Sequence, residues 1–427
     1  METVAAILML LLYAAVVVII IRGQSPIISL LVLAVVWGIL AGVPGKDILS
    51  QILEGGGTAY GSTIVIIVFG AWFGQVLVKT GIAESIIRGA IELAGDRPVM
   101  VAMTVSVVTG LLFTSIYGVG AAIAIGVIAL PIMMSMGVPP WVAAPAFTMA
   151  IGAGNFVNLV EFNIFKPMYP GITFEPPYVQ FYYTGFAVYV LAACAMSFYN
   201  LQIRGTRKYS AVSVAAPPSS RVRIPWYAYL APAIPVVMVI FFKWGMIPAF
   251  MLGTVYALLA TQFGNRRFSE SVDLFHRCFY DAFPDIATIA ALWIICGMLI
   301  KAGGLPNVQK VLNPVFGSVL PSTRLGLSIF FAALAPLAIY RGPFSTVGTG
   351  AALLAMFLNA KAISPIYLYC VWRAALCLQG SQDPTNSWTL WTIGYTKVTH
   401  GQFLKTALPW GWLMVAANAF IAYFMIP

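Results

Sequence analysis

Charged side chains are scarce in this sequence. Asp, Glu, Lys and Arg make up 8% of the 427 residues, whereas about 25% is usual for soluble domains. Hydrophobic residues make up 61%, and they form long runs such as residues 4–21. Runs of this length suit membrane helices of about 20 residues and not the short alternating segments of a β-barrel. The composition therefore excludes an ordinary soluble protein and predicts an all-α polytopic membrane protein.

Residues that carry metal and nucleophile chemistry are also few. The chain has two histidines and five cysteines, and none of them has metal-ligand spacing. The sequence contains no phosphate-binding loop and no nucleophile-elbow motif. It therefore predicts no cofactor, no metal site and no enzyme.

The few charges are biased to one sign, with a net charge of +10. Residues 204–223 carry Arg204, Arg207, Lys208, Arg221 and Arg223 and no acid. In a membrane protein such a segment indicates a cytoplasmic loop and not a nucleic-acid partner. Its Pro and Ser content is typical of a linker between two halves.

The two halves resemble one another at a nearly constant offset. "VLVKTGIAESII" from Val76 matches "MLIKAGGLPNVQ" from Met298, an offset of 222. Residues 137–163 match 362–388, an offset of 225, and "YGVGAAIAIG" resembles the segment that begins at Tyr340. Three matches in the same order predict an internal duplication, with repeat 1 at 1–203 and repeat 2 at 224–427.

Each repeat is predicted to have five spans and one re-entrant hairpin. The spans of repeat 1 are 4–21, 26–43, 62–80, 140–165 and 179–200, and its hairpin is 98–136. Those of repeat 2 are 225–243, 247–263, 284–302, 364–389 and 407–426, and its hairpin is 323–360. An odd number of spans inverts the second repeat relative to the first, as in many secondary transporters.

The distribution of basic residues predicts the orientation. With residues 204–223 inside, fourteen Lys and Arg residues fall on the cytoplasmic side and seven outside, as the positive-inside rule expects. We therefore expect a prokaryotic inner (plasma) membrane protein with both termini external.

Polar stretches interrupt one span of each repeat, at 151–165 and at "LQGSQDPTNSW" (378–388). Non-helical backbone survives at membrane depth only where protein or a water-filled cavity satisfies it. Pro384 and the glycines Gly152, Gly154 and Gly380 favour unwinding. We therefore expect 140–165 and 364–389 to be broken helices that share one site with the two hairpin tips.

Four ionisable residues lie in these segments: Glu161, Arg341, Arg373 and Asp383. Burying such groups is costly, so each is a functional candidate. The guanidinium of Arg341 has N–H groups in a planar fork, which matches the two oxygens of a substrate carboxylate. Asp383 and Glu161, with Gln382, are expected to take the coupling ion, H+ or Na+. The alternative is that these charges only pair across the bundle, for example Arg373 with Asp383.

Neutral polar residues complete the predicted substrate site. They are Ser115, Tyr117, Asn155, Asn158, Ser345, Thr346, Thr385 and Asn386. Hydroxyls beside glycines and clustered amides suit ligand contacts. The alternatives are helix caps at re-entrant turns and interhelical hydrogen bonds.

The pattern resembles the ion transporter superfamily, which includes divalent anion–sodium symporters, gluconate and citrate proton symporters and the membrane subunits of TRAP transporters. "TSIYGVGAAIAIGVIALPIM" from Thr114 resembles its first hairpin, with Ser115 at the serine of a Ser-Asn-Thr triplet. Ile116 and Tyr117 replace the other two residues, and "YRGPFSTVGTG" from Tyr340 also lacks the triplet.

The resemblance implies a homodimer that works as an elevator. The scaffold would be 4–43, 179–263 and 407–426, and the moving transport domain would be 62–165 with 284–400.

The sequence thus predicts a secondary active transporter, a cation-coupled symporter of a small organic anion, and we expect that anion to be a carboxylate. Two alternatives stay open at this point. One is a cation–proton antiporter of related fold, in which Asp383 binds ions and Arg341 is structural. The other is the membrane subunit of a binding-protein-dependent carrier, which would need a soluble partner.

Overall fold

The structure is a computed structural model that describes residues 2–169, 171–204, 224–262, 268–360 and 363–427. Within these ranges the chain is helical and has no strand. Residues 205–223, nearly all of the predicted basic linker, lie outside the described residues.

The first half contains eleven α-helices in its described residues. They are α1 Glu2–Ile21, α2 Pro26–Leu40, α3 Gly45–Asp47, α4 Gly55–Thr58, α5 Gly61–Lys79, α6 Ile82–Ala94, α7 Pro98–Phe113, α8 Val119–Ser135, α9 Pro140–Val157, α10 Leu159–Phe165 and α11 Tyr178–Phe198. A π-helical segment, Ile48–Glu54, joins α3 to α4.

The described part of the second half contains nine α-helices. The helices are α12 Ala233–Ile240, α13 Met246–Gln262, α14 Phe268–Gly304, α15 Pro306–Val319, α16 Arg324–Leu334, α17 Gly350–Ala360, α18 Pro365–Gln382, α19 Ser387–Thr396 and α20 His400–Met425.

Five helical stretches of the described chain are long and apolar enough to cross a membrane, or six if the bent pair α9–α10 counts as one span. Large apolar side chains on their outer faces are exposed, for example Leu11 and Leu191. The predicted span 225–243 is not one helix, because a 3-10 turn at Trp226–Leu230 precedes the eight-residue α12. Pro232 and Pro235 each remove an N–H donor at this join.

Both predicted hairpins consist of two helical arms joined by a polar break. In the first, residues 114–118 join α7 to α8. In the second, a 3-10 turn at Ala335–Ala338 and residues 339–349 join α16 to α17. Whether each hairpin enters and leaves the membrane on one side stays a prediction.

Both predicted broken helices are interrupted. α9 and α10 meet at Asn158 with a bend of 63°. α18 ends at Gln382, and α19 begins at Ser387 after four non-helical residues. The two broken helices pack against each other through α9 and α18.

The packing of the two halves follows the same scheme. In the first half α7, α9 and α11 pack together, and in the second α16, α18 and α20 do so. Helices of the two halves also pack on each other: α2 packs on α14, and α13 packs on α5. This correspondence supports the predicted duplication, while the inverted orientation stays a prediction.

The packing corrects the grouping of two helices. We expected 179–200 and 407–426 to belong with the outer scaffold spans. Instead α11 packs on α7 and α9, and α20 packs on α16 and α18. The reason is geometric: each of these helices covers the back of a broken helix and one hairpin arm.

Two amphipathic helices flank the hairpins. The first is α6, which buries Ile82, Ile87 and Ile91 and packs on α7. Its counterpart α15 was not predicted from the sequence. α15 follows α14 directly and packs on α17.

Gly154 allows the close approach of α9 to α7. A Cβ at this position would lie 2.5 Å from the carbonyl oxygen of Gly110 and 2.5 Å from the Cβ of Phe113. Both atoms are held in place by the backbone of α7, so neither can move aside without displacing the helix. Only glycine lets these two helices pack at this distance.

We expect Gly154→Ala to lower the thermal unfolding midpoint in detergent. Overpacking a tight core costs about 1–3 kcal/mol, and here the clash is with backbone. Gly89→Ala is the control, because a Cβ there meets nothing within 4 Å and alanine favours the helix. Equal midpoints for the two variants would contradict the close packing of α7 and α9.

Candidate functional site

A cleft lies where both hairpin tips, both broken helices and α14 meet. It contains about 770 Å³ of space not filled by atoms, including the space open to solvent. Its polar lining includes Tyr117, Asn155, Glu161, Asp285, Arg341, Arg373 and Asn386. Apolar walls come from Phe165, Trp293 and Trp388.

Asn158 holds the first break together. Its side-chain oxygen accepts from the N–H of Val160 at 2.8 Å, which caps α10. Its amide nitrogen donates to the carbonyls of Phe113 at 2.8 Å and Ile116 at 2.9 Å. Backbone groups freed at membrane depth need such partners. Asn158 therefore ties the tip of the first hairpin to the broken helix.

Asp383 does the same at the second break. One carboxylate oxygen accepts from the N–H and the hydroxyl of Thr385, at 2.8 and 2.7 Å. The other accepts from the backbone N–H of Arg341 at 3.0 Å. Asp383 is fully buried and does not line the cleft. It thus connects the second hairpin tip to the broken α18–α19 segment.

The carbonyl of Gly380, freed where α18 ends, is satisfied by side chains. The indole N–H of Trp388 donates to it at 2.7 Å, and the amide of Asn386 approaches it at 3.4 Å. Asn386 precedes α19 without a side-chain capping bond. The N–H groups at the start of α19 therefore lie beside the cleft, next to Asn386 and Ser387.

Arg341 presents a buried guanidinium to the cleft. The residue adopts φ +54° at the hairpin tip, and it is only 5% exposed. Its guanidinium donates to the carbonyls of Val347 at 3.2 Å and Thr385 at 3.4 Å. Among the described residues no carboxylate lies within 4 Å of it, because the nearby Asp383 contacts the backbone N–H instead. The charge of Arg341 is therefore not neutralised by an ion pair.

Arg373 is bound on several sides. It forms an ion pair with Glu161 at 3.1 Å and donates to the carbonyl of Asn155. It also lies over the rings of Phe156 and Phe165. The hydroxyl of Tyr117 donates to Glu161 at 3.2 Å. Arg373 therefore does pair across the bundle, as the alternative expected, but its partner is Glu161 and not Asp383, because the bend at Asn158 brings Glu161 to α18.

The predicted site residues fall into two groups. Those that line the cleft are Tyr117, Asn155, Glu161, Arg341 and Asn386. Those that lie behind it are Ser115, Asn158, Ser345, Thr346, Thr385, Gln382 and Asp383.

The residues of the second group differ in their surroundings. Ser345 and Thr346 have buried hydroxyls without a hydrogen-bond partner, and Ser115 donates to the carbonyl of Leu112 at 3.4 Å. Gln382 points away from the cleft, since its amide lies against Gly411 of α20. A direct role for these residues in binding or coupling stays a prediction.

The sequence reasoning missed Asp285 of α14. Asp285 lines the cleft together with Thr288, Ile289, Leu292 and Trp293, which share one face of the helix. The signal was a lone acid beside Pro284 in an apolar stretch. It was overlooked because the predicted span began at 284, which put Asp285 at a membrane surface. The helix in fact begins at Phe268, so Asp285 lies near its middle.

We expect Arg373→Met to lower the thermal unfolding midpoint, because it leaves the half-buried carboxylate of Glu161 without its partner. Breaking such a pair costs about 3–5 kcal/mol. Adding Glu161→Gln should restore part of that loss, so the double variant should be more stable than Arg373→Met alone. The measurement is thermal unfolding of the purified protein in detergent.

Arg88→Met is the matched control, because Arg88 forms an i,i+4 pair with Glu84 and both side chains are about one-third exposed. Such surface pairs contribute about 0–1 kcal/mol. If Arg373→Met unfolds at the same temperature as the double variant, the Arg373–Glu161 pair is not the coupled unit described here.

Comparisons with known proteins agree with this architecture. Residues 1–157 match a family model described as GntP family permease. A curated gluconate permease of Zymomonas mobilis is 28% identical over 148 residues, which are 34% of this chain and 30% of that protein. The match therefore spans less than a third of the length of this relative.

A solved structure shares the fold over most of the chain. It is the YdaH transporter of Alcanivorax borkumensis, which is described as having an unusual topology, with a TM-score of 0.60, 14% identity and 88% of each chain covered. Both sequence matches are to proteins described as permeases. Together with the apolar helices, they support an integral membrane protein.

Proposed function

We propose that this protein is a secondary active transporter of a small organic anion, and that the anion is a carboxylate bound in the cleft. The observation that carries the proposal is the guanidinium of Arg341, which lines the cleft, is 5% exposed and has no ion-pair partner within the described residues.

A buried charge without a counter-charge is costly, unless a ligand supplies one. Backbone carbonyls stabilise the guanidinium of Arg341 only in part, at 3.2 and 3.4 Å. A carboxylate can accept two parallel hydrogen bonds from such a fork. Arg341 would therefore offer an anionic substrate an opposite charge and two parallel hydrogen bonds. Arg373 cannot do so in the same way, because it already forms an ion pair with Glu161.

Helix N-termini add to the attraction for an anion. α8 begins at Val119 and α19 at Ser387, and both residues line the cleft. N–H groups at the start of a helix favour negative charge. The carboxylate of Asp285 already lies against Gly120 at the start of α8, so the N-terminus of α19 is the one that remains for the substrate in addition to the guanidinium.

The matched relative is a gluconate permease, and we propose that the substrate here belongs to the same chemical class, a hydroxylated monocarboxylate. The lining supports this choice. Asn155 has a buried side-chain oxygen without a hydrogen-bond partner, and Thr288 supplies a hydroxyl nearby. Substrate hydroxyls could use these groups, while Trp293 and Trp388 cover apolar C–H faces.

The finer features of the proposal come from the family resemblance. We propose a symporter coupled to H+ or Na+, an elevator-type movement, a homodimer, and insertion in a prokaryotic inner membrane with both termini external. The shared packing of the hairpins, broken helices, α11 and α20 supports a unit that could move as one body.

The test is uptake of labelled gluconate by the purified chain in proteoliposomes, together with its binding measured by thermal stabilisation. We expect Arg341→Gln to weaken binding by about 100-fold. Removing one partner of a desolvated charge pair costs roughly 2–5 kcal/mol, and each 1.4 kcal/mol is tenfold. Arg341→Lys should bind more tightly than Arg341→Gln and less tightly than the wild type, because it keeps the charge and loses the fork.

Arg324→Gln is the control. Arg324 lies in the same half but outside the cleft, where it donates to backbone carbonyls near the C-terminus. It should leave gluconate affinity within twofold. No uptake or binding of any small carboxylate by the well-folded wild type, or normal affinity in Arg341→Gln, would overturn the proposal.

A further inference from the structure

Asp285 stands apart from the other acids near the cleft. Glu161 is neutralised by Arg373, and both oxygens of Asp383 are occupied by donors behind the cleft. Asp285 lines the cleft, and among the described residues no basic side chain lies within 4 Å of it. It is therefore the acid in this cleft that can gain or lose a proton without breaking an ion pair.

The neighbours of Asp285 can satisfy it in both protonation states. The side-chain amide of Gln75, which is buried on α5, donates to the Asp285 carboxylate. An amide carries a donor and an acceptor, and rotating it by half a turn exchanges them. Gln75 can thus donate to the carboxylate and, after that rotation, accept from the carboxylic acid.

The carboxylate also lies against the first hairpin tip. A Cβ at Gly120 would collide with both oxygens of Asp285, and the Gly120 amide faces them. Gly120 is the second residue of α8. A helix N-terminus attracts an ionised carboxylate more strongly than a neutral one, so protonation would loosen the contact between α14 and this hairpin.

Other charges near Asp285 are already paired or lie across the cleft. One turn earlier on α14, Asp281 forms an ion pair with Lys79 of α5. Glu161, Arg341 and Arg373 line the same cleft on other elements. None of them forms a salt bridge with Asp285 among the described residues, so its proton equilibrium can respond to the ligand and to the movement of the hairpin.

We infer that Asp285 binds the coupling proton, with Gln75 as its positioning partner, and that its contact with Gly120 links protonation to the first hairpin. This inference rests on the proposed transport function and names its coupling site, which the sequence had assigned to Asp383 and Glu161.

The experiment compares two assays of labelled gluconate in proteoliposomes. Exchange at equal pH on both sides needs no net proton movement, whereas accumulation driven by an inward proton gradient does. Asp285→Asn, a neutral mimic of the protonated acid, should keep exchange within about threefold of the wild type. It should lose at least 90% of gradient-driven accumulation. Proton uptake with substrate, followed by a pH dye, should disappear with it.

Asp281→Asn is the matched control, because Asp281 lies on the same helix, is paired with Lys79 and does not line the cleft. It should accumulate gluconate like the wild type. Gradient-driven accumulation that survives in Asp285→Asn overturns the inference, as does loss of exchange in a folded Asp285→Asn protein. If Asp285→Asn does not fold, Gln75→Met decides: unchanged gradient-driven accumulation overturns the inference, and at least a tenfold loss with exchange retained supports it.

The wild type separates the two proposals. If the wild type exchanges gluconate but an inward proton gradient does not drive its accumulation, the role of Asp285 is overturned and the transport proposal stays intact. A folded wild type that neither exchanges nor accumulates any carboxylate would overturn the transport proposal, and the inference about Asp285 with it.

Discussion

The need to satisfy backbone groups at two helix breaks governs this structure. Inside an apolar bundle a free N–H or C=O costs several kcal/mol, and each break exposes several. One polar side chain at each break forms hydrogen bonds with these backbone groups, Asn158 in the first half and Asp383 in the second. Each of these side chains also forms hydrogen bonds with the hairpin tip of its own half. The same residue therefore satisfies the break and holds the tip beside the broken helix. The cleft lies where the two breaks meet, because α9 and α18 pack against each other and each holds a hairpin tip beside its break.

Asn158 and Asp383 occupy equivalent positions, since their numbers differ by the offset of 225 that relates the two sequence segments. Their chemistry differs in a useful way. Asn158 uses an amide that donates to carbonyls, whereas Asp383 uses a carboxylate that accepts from N–H groups. The second solution places a negative charge behind Arg341 without pairing it to the guanidinium. It therefore stabilises the positive charge at a distance and leaves the fork itself available.

Divergence of the halves gives the cleft its charge. By the same offset Arg373 corresponds to Thr148, and by the offset of 222 Asp285 corresponds to Thr63. A symmetric ancestor with a neutral residue at both members of each pair would have had a less polar site. The present pairs place one charged and one hydroxyl side chain at related positions. The predicted duplication would account for the shared frame, and the charged member of each pair gives the cleft part of its charge.

The sequence predicted the frame better than the contacts inside it. Apolar run lengths located most helices, and the polar stretches at 151–165 and 378–388 located both breaks. It could not say which groups meet, because Glu161 and Arg373 are 212 residues apart and their pairing depends on the bend at Asn158. It placed Arg341 in the shared site, and the structure has this residue in the lining of the cleft, while its role in binding stays a prediction. It missed Asp285 because hydropathy does not show that α14 continues for 37 residues.

Charge balance connects substrate and proton in this arrangement. The groups in and behind the cleft are Arg341, Arg373, Glu161, Asp285 and Asp383. With every group ionised they sum to one net negative charge, and a bound monocarboxylate would add a second. Net charge in a weakly polar interior is costly. One proton taken up with each anion keeps the sum unchanged, whichever side the cleft faces. Among the three acids, Asp285 can take that proton while the Arg373–Glu161 pair and the tie at Asp383 stay intact, so the frame that holds Arg341 is preserved through the cycle.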